Sequence, residues 1–396
     1  MDPHFKPSKL VMISVLLALS SLQNWANAKP SNSTNAKPSN STKINHTDST
    51  NANQTNSTNA KPEVPCYFIF GDSLSDNGNN NNLKTLAKVN YPPYGVDFPG
   101  GPTGRFTNGR TLQDFIVELL GFESYMPPFA QAVGKGKEML NGVNYASGSA
   151  GILDETGKYN MGDRIPLNEQ ILKNHKAVIS SITKEMRYDL SATKKLLNKC
   201  IYSIEIGSND FINNYFLPKF YDSSRRYSLS AYTTMLVQQL SRQLMVLYDN
   251  GARKFAVFGV PPIGCTPNAI SLYGTNGSPC VDILNQAAVL FNERLQQLIR
   301  EFNRTLIKAK FTYLNPPGAP VDIAEFVKIG ACCKTGGGAG ELCVRNSKPC
   351  SDPKKHIFWD GVHITEYQME IMAKNAYSSN STLCASPYNI HNLAML

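Results

Sequence analysis

Four short apolar runs, each closed by residues that favour turns, constrain the fold of this chain most strongly. They cover residues 67–70, 202–206, 255–258 and 311–314, and Gly, Asn or Pro follows each of them. Residues of these types end strands and build tight loops. Between the runs, apolar residues recur at helical spacing, most clearly in Leu236, Leu240, Leu244 and Leu247 and again from Leu284 to Phe302. Strands that alternate with helices predict a parallel sheet covered by helices on both faces.

The N-terminal sequence has the features of a targeting signal. Lys6 and Lys9 precede the apolar run 10–19, and Ala-Asn-Ala at 26–28 matches a cleavage signal. This pattern is typical of a secretory signal peptide over residues 1–28, and its apolar run is too short to span a bilayer. The protein is therefore expected to be secreted and extracellular, without a membrane span.

Residues 29–62 form a tail of different composition. The octapeptide Asn-Ala-Lys-Pro-Ser-Asn-Ser-Thr occurs at 27–34 and again at 35–42, and the tail has one Ile and no aromatic residue. Such a segment cannot bury a core, so we expect it to be disordered and the folded domain to span 63–396. Acceptors for N-linked glycans occur in the tail and in the domain, at Asn32, Asn40, Asn45, Asn53, Asn56, Asn276, Asn303 and Asn380.

The charge of the chain argues against nucleic acid as a partner and allows acidic polymers. The net charge is +9, yet the chain has no dense run of Lys or Arg, which argues against nucleic-acid binding. The positive balance allows a weak attraction to acidic cell-wall polymers.

The nine cysteines fit an oxidising compartment, where most should be paired and the odd count leaves at least one outside a disulfide. Cys265 and Cys280 form a plausible local pair. Four more are clustered, at Cys332, Cys333, Cys343 and Cys350. Their spacing matches no zinc pattern and no His lies among them, so disulfides that clamp a loop are the better interpretation and no metal is expected.

Two polar turns follow predicted strands and carry candidate catalytic groups. Ser73 comes just after the strand 67–70, at a position where ligands and catalytic groups gather in open parallel sheets. Asn209 follows the strand 202–206 in Gly-Ser-Asn-Asp, and its amide can donate a hydrogen bond without carrying charge. A run at 141–151 that is rich in small residues, and that includes Gly148, would let the backbone approach a ligand closely.

A candidate acid and base lie near the C-terminus. Of the six histidines, His363 is the one in an apolar setting beside a carboxylate, whereas His175 lies in a polar, Lys-rich stretch. Thr365 and Gln368 form a capping-box pattern, which predicts that a helix begins directly after His363. Asp360 then lies in the preceding turn, where it can bind the imidazole Nδ1–H and orient the ring.

The string FGDSLSDNGNN at 70–80, together with SGSAG at 147–151, GSND at 207–210 and WDGVH at 359–363, resembles the signature blocks of plant GDSL (SGNH) hydrolases. The resemblance implies a flavodoxin-like, three-layer α/β/α fold with a mostly parallel sheet. It implies a secreted serine esterase or lipase that works through an acyl-enzyme and needs no cofactor. Ser75 stands where the nucleophile-elbow motif G-x-S-x-G has its last Gly, so that class of hydrolase is excluded.

The resemblance also implies a role for each matching residue. Ser73 would be the nucleophile, His363 the base and Asp360 the group that orients it. The N–H groups of Ser73 and Gly148 and the amide of Asn209 would hold the oxyanion. Two departures are visible: Ser149 stands where many plant members have Gly, and Ile364 stands where Pro is usual after the His.

Two questions stay open at this level. The segment 90–110, rich in Pro, Gly and aromatic residues, is either a wall of the substrate cleft or a packed connection over the sheet edge. The ester could be an acyl lipid, an acetylated polysaccharide or a small phenolic ester. The alternative function is a glycosylated, non-catalytic binding or defence-associated protein that retains a vestigial site.

Overall fold

The structure, a computed structural model, describes residues 61–316, 329–336 and 342–396. All of these belong to one unit that spans residues 60–396. The predicted signal peptide, nearly all of the predicted tail and its five glycan acceptors lie outside the described residues. Within them, no helix is long and apolar enough to cross a bilayer.

The sheet has five strands in the order in which they occur along the chain. They are β1 Tyr67–Gly71, β2 Ile201–Glu205, β3 Lys254–Phe258, β4 Lys310–Leu314 and β5 Ala385–Ser386. The first four are parallel, and β5 joins β4 in the antiparallel sense. The four predicted strands are therefore confirmed to within a residue at each end, and the short β5 was not predicted.

One further segment pairs with the outer edge of β1. The N–H of Ile69 donates to Val143 at 3.1 Å, and the N–H of Tyr145 donates back to Ile69 at 2.8 Å. The chain thus leaves β1 toward one side and returns to form β2 on the other. In a doubly wound sheet this reversal opens a crevice beyond the carboxyl end of the strand. Ser73 lies two residues past the end of β1, at that crevice.

The longer helices are α1 Leu112–Leu119, α2 Lys176–Glu185, α3 Leu190–Leu197, α4 Leu229–Asp249, α5 Pro267–Tyr273, α6 Asp282–Thr305, α7 Glu366–Ser378 and α8 Ile390–Met395. Shorter α-helical turns cover Phe129–Ala132, Lys158–Met161, Leu167–Glu169, Ser208–Asp210 and Ser223–Arg226. Tighter 3₁₀ turns cover Asn79–Asn82, Gly136–Asn141, Ile263–Cys265 and Pro353–Lys355, and wider π turns cover Gln170–His175 and Phe211–Tyr215.

Helices cover both faces of the sheet, as the alternating pattern predicts. Leu240 of α4 and Phe291 of α6 belong to the core on one face. Ile116 of α1 and Met369 of α7 belong to the core on the other. The protein thus has the three-layer α/β/α architecture.

Four disulfides stabilise this frame: Cys66–Cys200, Cys265–Cys280, Cys332–Cys350 and Cys333–Cys343. The predicted local pair Cys265–Cys280 and the predicted clamp of the four clustered cysteines are confirmed. Cys384, the ninth cysteine, lies outside these disulfides and is buried. In the described part of the chain, no group of His, Cys, Asp and Glu residues could hold a metal ion.

The interpretation of His175 as a residue of a polar stretch is wrong. Its side chain is fully buried against Phe68, Phe70, Tyr145 and Tyr202. Its charged neighbours in sequence face solvent, because a helical segment turns adjacent side chains in different directions. Burial lowers the pKa of His175 to about 3, so the ring is neutral at physiological pH.

Candidate active site

Ser73, His363 and Asp360 meet at the carboxyl edge of the sheet. Ser73 follows β1, and the other two lie in the turn before α7. Ser73 Oγ lies 2.8 Å from His363 Nε2, and His363 Nδ1 lies 2.8 Å from Asp360 Oδ2. A carboxylate only accepts hydrogen bonds, so Nδ1 carries the proton and Nε2 offers its lone pair to the Ser73 hydroxyl. This arrangement can remove a proton from Ser73 as its oxygen attacks a carbonyl carbon.

The carboxylate of Asp360 is fully buried and held by four donors. Its Oδ1 accepts the backbone N–H groups of Val362 at 2.8 Å and His363 at 2.7 Å. Its Oδ2 accepts the hydroxyl of Tyr94 at 2.6 Å in addition to the His363 ring. Such donors compensate for the lost hydration of a buried charge. Nothing local to Tyr94 in the sequence indicated this contact, which joins residues 266 positions apart.

The segment 90–110 serves both of the purposes that the sequence left open. Phe106 packs against the His363 ring, with centroids 4.9 Å apart, and lines the cleft beside Ser73. Tyr94 of the same segment contacts Asp360. The same segment also forms a packed connection, since Asn108 contacts the first residue of α7.

Helix α7 begins where the sequence predicts, but the predicted capping box at Thr365 is wrong. The Thr365 hydroxyl donates to the carbonyl of His356 at 3.0 Å and does not cap the helix. The Asn108 side chain accepts the N–H of Glu366 at 2.8 Å instead. A distant loop therefore caps the helix that follows the turn with Asp360 and His363, and local sequence cannot reveal such a partner.

Asn209 lines the same cleft as Ser73 and His363. Its amide nitrogen donates to the carbonyl of Ala150 at 3.0 Å, and its amide oxygen accepts from Asn213 at 2.7 Å. These two contacts fix the rotamer and leave the second amide N–H available to a ligand.

The backbone N–H of Gly148 is occupied in this structure, which differs from the role that the family resemblance implies. It donates to Asp76 Oδ2 at 2.9 Å. The residue that lines the cleft is the next one, Ser149. Ser149 has a φ of 68°, and among the described residues no acceptor lies on its N–H. Of the backbone N–H groups at 148–150, the one that no described residue accepts is thus that of Ser149, one residue after the predicted Gly148.

Asp76 is the residue that engages the Gly148 N–H, and its carboxylate accepts backbone N–H groups from two segments of the chain. Besides Gly148, its carboxylate accepts the N–H groups of Gly78 and Asn79, both at 2.8 Å. Burial raises the pKa of Asp76 to about 6, and the N–H donors act in the opposite direction. Asn80 adds a second connection, since its amide donates to the carbonyl of Gly148 at 3.0 Å. The asparagine-rich string after Ser73 therefore holds the 145–151 turn in place.

Two buried carboxyl groups, those of Asp72 and Glu205, interact electrostatically close to Ser73. Burial and then the charge of Glu205 raise the pKa of Asp72 to about 8. Burial likewise raises the pKa of Glu205, which accepts the Ser75 hydroxyl at 2.5 Å. The neighbours of Ser73 in sequence thus point into the protein, while Ser73 itself faces the cleft.

The rest of the cleft is mainly apolar. Its apolar lining residues are Ala87, Phe106, Met161, Ile212, Leu342 and Val362. A cleft with a polar centre and apolar walls suits a ligand that carries one reactive polar group on a hydrocarbon or aromatic frame.

The predicted glycan acceptors of the domain differ in their surroundings. Asn276 and Asn380 are exposed. Asn303 instead donates its amide nitrogen to Phe311 of β4 at 2.8 Å, and its amide oxygen accepts the Phe311 N–H at 2.8 Å. A glycan on Asn303 would break this connection between α6 and β4.

Similarity to known proteins agrees with the geometry of this site. The family model described as GDSL-like Lipase/Acylhydrolase matches residues 67–376. This chain belongs to that family. A GDSL esterase/lipase from Arabidopsis thaliana is 44% identical over 343 residues, which cover 85% of this chain and 93% of the relative. A second one from the same plant is 43% identical over 342 residues, with 84% and 92% covered.

Family membership identifies the chain as a carboxylic-ester hydrolase of the GDSL type. Its substrates are small-molecule or lipid esters. The alternative of a non-catalytic binding protein is not favoured, because the hydroxyl, imidazole and carboxylate lie at hydrogen-bonding distances.

Proposed function

We propose that this GDSL hydrolase cleaves esters through an acyl-enzyme formed on Ser73. The 2.8 Å contact between Ser73 Oγ and His363 Nε2 carries the proposal. In the first step the Ser73 oxygen attacks the ester carbonyl carbon, and its proton passes to His363 Nε2. Asp360 stabilises the imidazolium that forms. The tetrahedral intermediate then collapses, and His363 gives the proton to the leaving alcohol.

The second half of the reaction repeats these steps with water. His363 takes a proton from a water molecule as its oxygen attacks the acyl carbon. Collapse of the second intermediate breaks the bond to Ser73 Oγ, and His363 returns the proton to that oxygen. The products are a free carboxylic acid and the regenerated hydroxyl.

We assign the oxyanion donors to the N–H of Ser73, the N–H of Ser149 and the amide of Asn209. The contact of Gly148 with Asp76 supports Ser149 over Gly148. Three donors at fixed positions would stabilise the negative charge that develops on the carbonyl oxygen. The apolar walls would hold the acyl or alkyl part of the ester, which favours an apolar ester over a heavily hydroxylated one.

The test compares hydrolysis of p-nitrophenyl esters of increasing acyl length by the wild type and by Ser73→Ala. We expect kcat to fall at least about a thousandfold in the variant, to the level that binding and oxyanion contacts alone can support. Ser180→Ala, at an exposed position of α2, is the matched control and should keep wild-type activity. Hydrolysis by Ser73→Ala above about a thousandth of the wild-type rate would refute the assignment.

We further propose that the domain 63–396 is secreted after loss of residues 1–28, with 29–62 as a glycosylated tail. The A-x-A pattern at 26–28 and the four disulfides support this route. N-terminal sequencing of extracellular protein should begin at Lys29, and a mature protein that retains Met1 would contradict the proposal. In the domain, glycans are expected at Asn276 and Asn380 rather than at Asn303.

The positive charge supports one weaker partner. The full chain carries +9, and loss of Lys6, Lys9 and Asp2 with residues 1–28 leaves +8, so the secreted protein should be attracted to acidic cell-wall polymers. Retention on a pectin matrix should therefore fall as salt rises, and retention that is independent of salt would exclude this attraction.

A further inference from the structure

A tyrosine hydroxyl donates a hydrogen bond to Oδ2 of the buried Asp360 carboxylate. Tyr94 donates to Asp360 Oδ2 at 2.6 Å, and the same oxygen lies 2.8 Å from His363 Nδ1. Tyr94 is almost completely buried. Solvent therefore does not compete for its proton, and a hydrogen bond to a charged group is stronger in such an environment. Tyr94 and the catalytic imidazole thus share one carboxylate oxygen.

The direction of the Tyr94 proton is fixed by a second contact. The backbone N–H of Cys343 donates to the Tyr94 oxygen at 2.9 Å. Cys343 is tied to Cys333 by a disulfide, and the Cys333 N–H donates to the carbonyl of Trp359, directly before Asp360. With one lone pair of the hydroxyl engaged by Cys343, its proton points at Asp360. The disulfide therefore links the donor to the turn that carries the acid.

We propose that Tyr94 is a positioning residue that sets both the orientation and the effective basicity of Asp360 in catalysis. This inference rests on the proposed function, because it assumes that Asp360 orients the base His363. The Tyr94 hydroxyl withdraws charge from Asp360 Oδ2 and holds the carboxylate in line with the ring. Without this hydroxyl, the carboxylate would carry more negative charge on Oδ2 and would stabilise the imidazolium more strongly. Its orientation relative to the ring would also be less restricted.

Other titratable groups lie near Tyr94, Asp360 and His363, and a Tyr94 variant leaves them in place. Asp72 interacts electrostatically with His363, and Tyr91 interacts with Asp360. The guanidinium of Arg345 lies 3.9 Å from the centre of the Tyr91 ring. None of them donates to Asp360, so a comparison of single variants isolates the Tyr94 hydroxyl.

The test measures the pH profile of kcat/KM for Tyr94→Phe. Loss of the hydroxyl should move the acid limb upward by about one pH unit, since a hydrogen bond to a charged group has about that effect on a titration. We also expect kcat at the optimum to fall about tenfold, because the Asp360 carboxylate, which orients the His363 ring, is held less firmly. A merely structural role would lower the folded fraction or kcat but would leave the acid limb in place.

Tyr91→Phe is the matched control. Its ring packs edge-on against Tyr94 at 5.5 Å, and its hydroxyl donates to the carbonyl of Cys343 at 3.1 Å, not to Asp360. This variant should keep the wild-type acid limb. An unchanged limb in Tyr94→Phe, or equal shifts in both variants, would overturn the proposal.

Histidine-selective NMR separates this inference from the proposed function. The titration midpoint of the His363 imidazole should rise in Tyr94→Phe whether or not an ester is turned over. If the wild type hydrolyses no ester and the midpoint still rises, the proposed function fails and the contact between Tyr94 and Asp360 stands. An unchanged midpoint in an active enzyme refutes only the role of Tyr94.

Discussion

At the scale of single residues, Asn209 shows how a neutral side chain becomes an oriented donor. Ala150 and Asn213 each hold one end of its amide, so the remaining N–H has little freedom. A donor that is aimed before the reaction stabilises charge at little reorganisation cost.

We therefore expect Asn209→Ala to lower kcat by about 10²–10³ while KM changes less, as removal of one oxyanion donor does elsewhere. Steady-state kinetics on a short-chain p-nitrophenyl ester measure this effect, with circular dichroism as the check on folding. A folded variant with kcat within about threefold of the wild type would contradict the assignment of Asn209 to the oxyanion.

At the scale of elements, α7 depends on a residue that lies far away in sequence. Asn108 accepts the N–H of Glu366, and Arg110 donates its backbone N–H and its guanidinium to the Glu366 carboxylate. The loop 104–110 therefore fixes the start of the helix that follows His363.

Asn108→Ala should lower the free energy of unfolding by about 1 kcal/mol, the usual cost of losing a cap. Gln368→Ala is the control that distinguishes capping by Asn108 from a local capping box, and it should leave the free energy of unfolding nearly unchanged. Urea unfolding of both variants measures the difference. A larger loss for Gln368→Ala than for Asn108→Ala would show that the local pattern caps the helix after all.

Some of the strands and helices could be predicted from the sequence, and others could not. The strands 67–70 and 255–258 and the helix around Leu240 were predictable because burial imposes a local period on apolar residues. The edge segment at 143–145 was not, since it pairs with β1 through a few irregular contacts. For the candidate site, motif similarity predicted Ser73, Asn209, Asp360 and His363, which the fold brings to one cleft. Tyr94, Asp76 and Asn108 could not be predicted, because their contacts exist only in the folded chain.

At the scale of the whole molecule, the core contains an ionisable group that limits stability in acid. Burial lowers the pKa of His175 to about 3 from its ordinary 6.5. Between these values the unfolded chain binds a proton that the folded chain does not. The contribution of His175 to stability is therefore complete above pH 6.5 and is lost as pH falls from there toward 3.

Comparison with His175→Phe isolates this contribution. Between pH 7.5 and 5.5 the wild type should lose about 1.4 kcal/mol more unfolding free energy than the variant. Buried Asp72, Asp76 and Asp210 have raised pKa values and act with the opposite sign, but they are present in both proteins. Urea unfolding at the two pH values gives the four free energies. Parallel losses in both proteins would show that His175 does not titrate in this way.

The proposed reaction depends above all on Ser73 being an activated nucleophile in a folded esterase site. The most direct measurement is covalent labelling of the purified, folded protein with a fluorophosphonate probe, followed by peptide mapping. We expect stoichiometric labelling on Ser73, and loss of labelling in Ser73→Ala and in His363→Ala. Labelling on another residue, or folded wild-type protein that does not react, would contradict it.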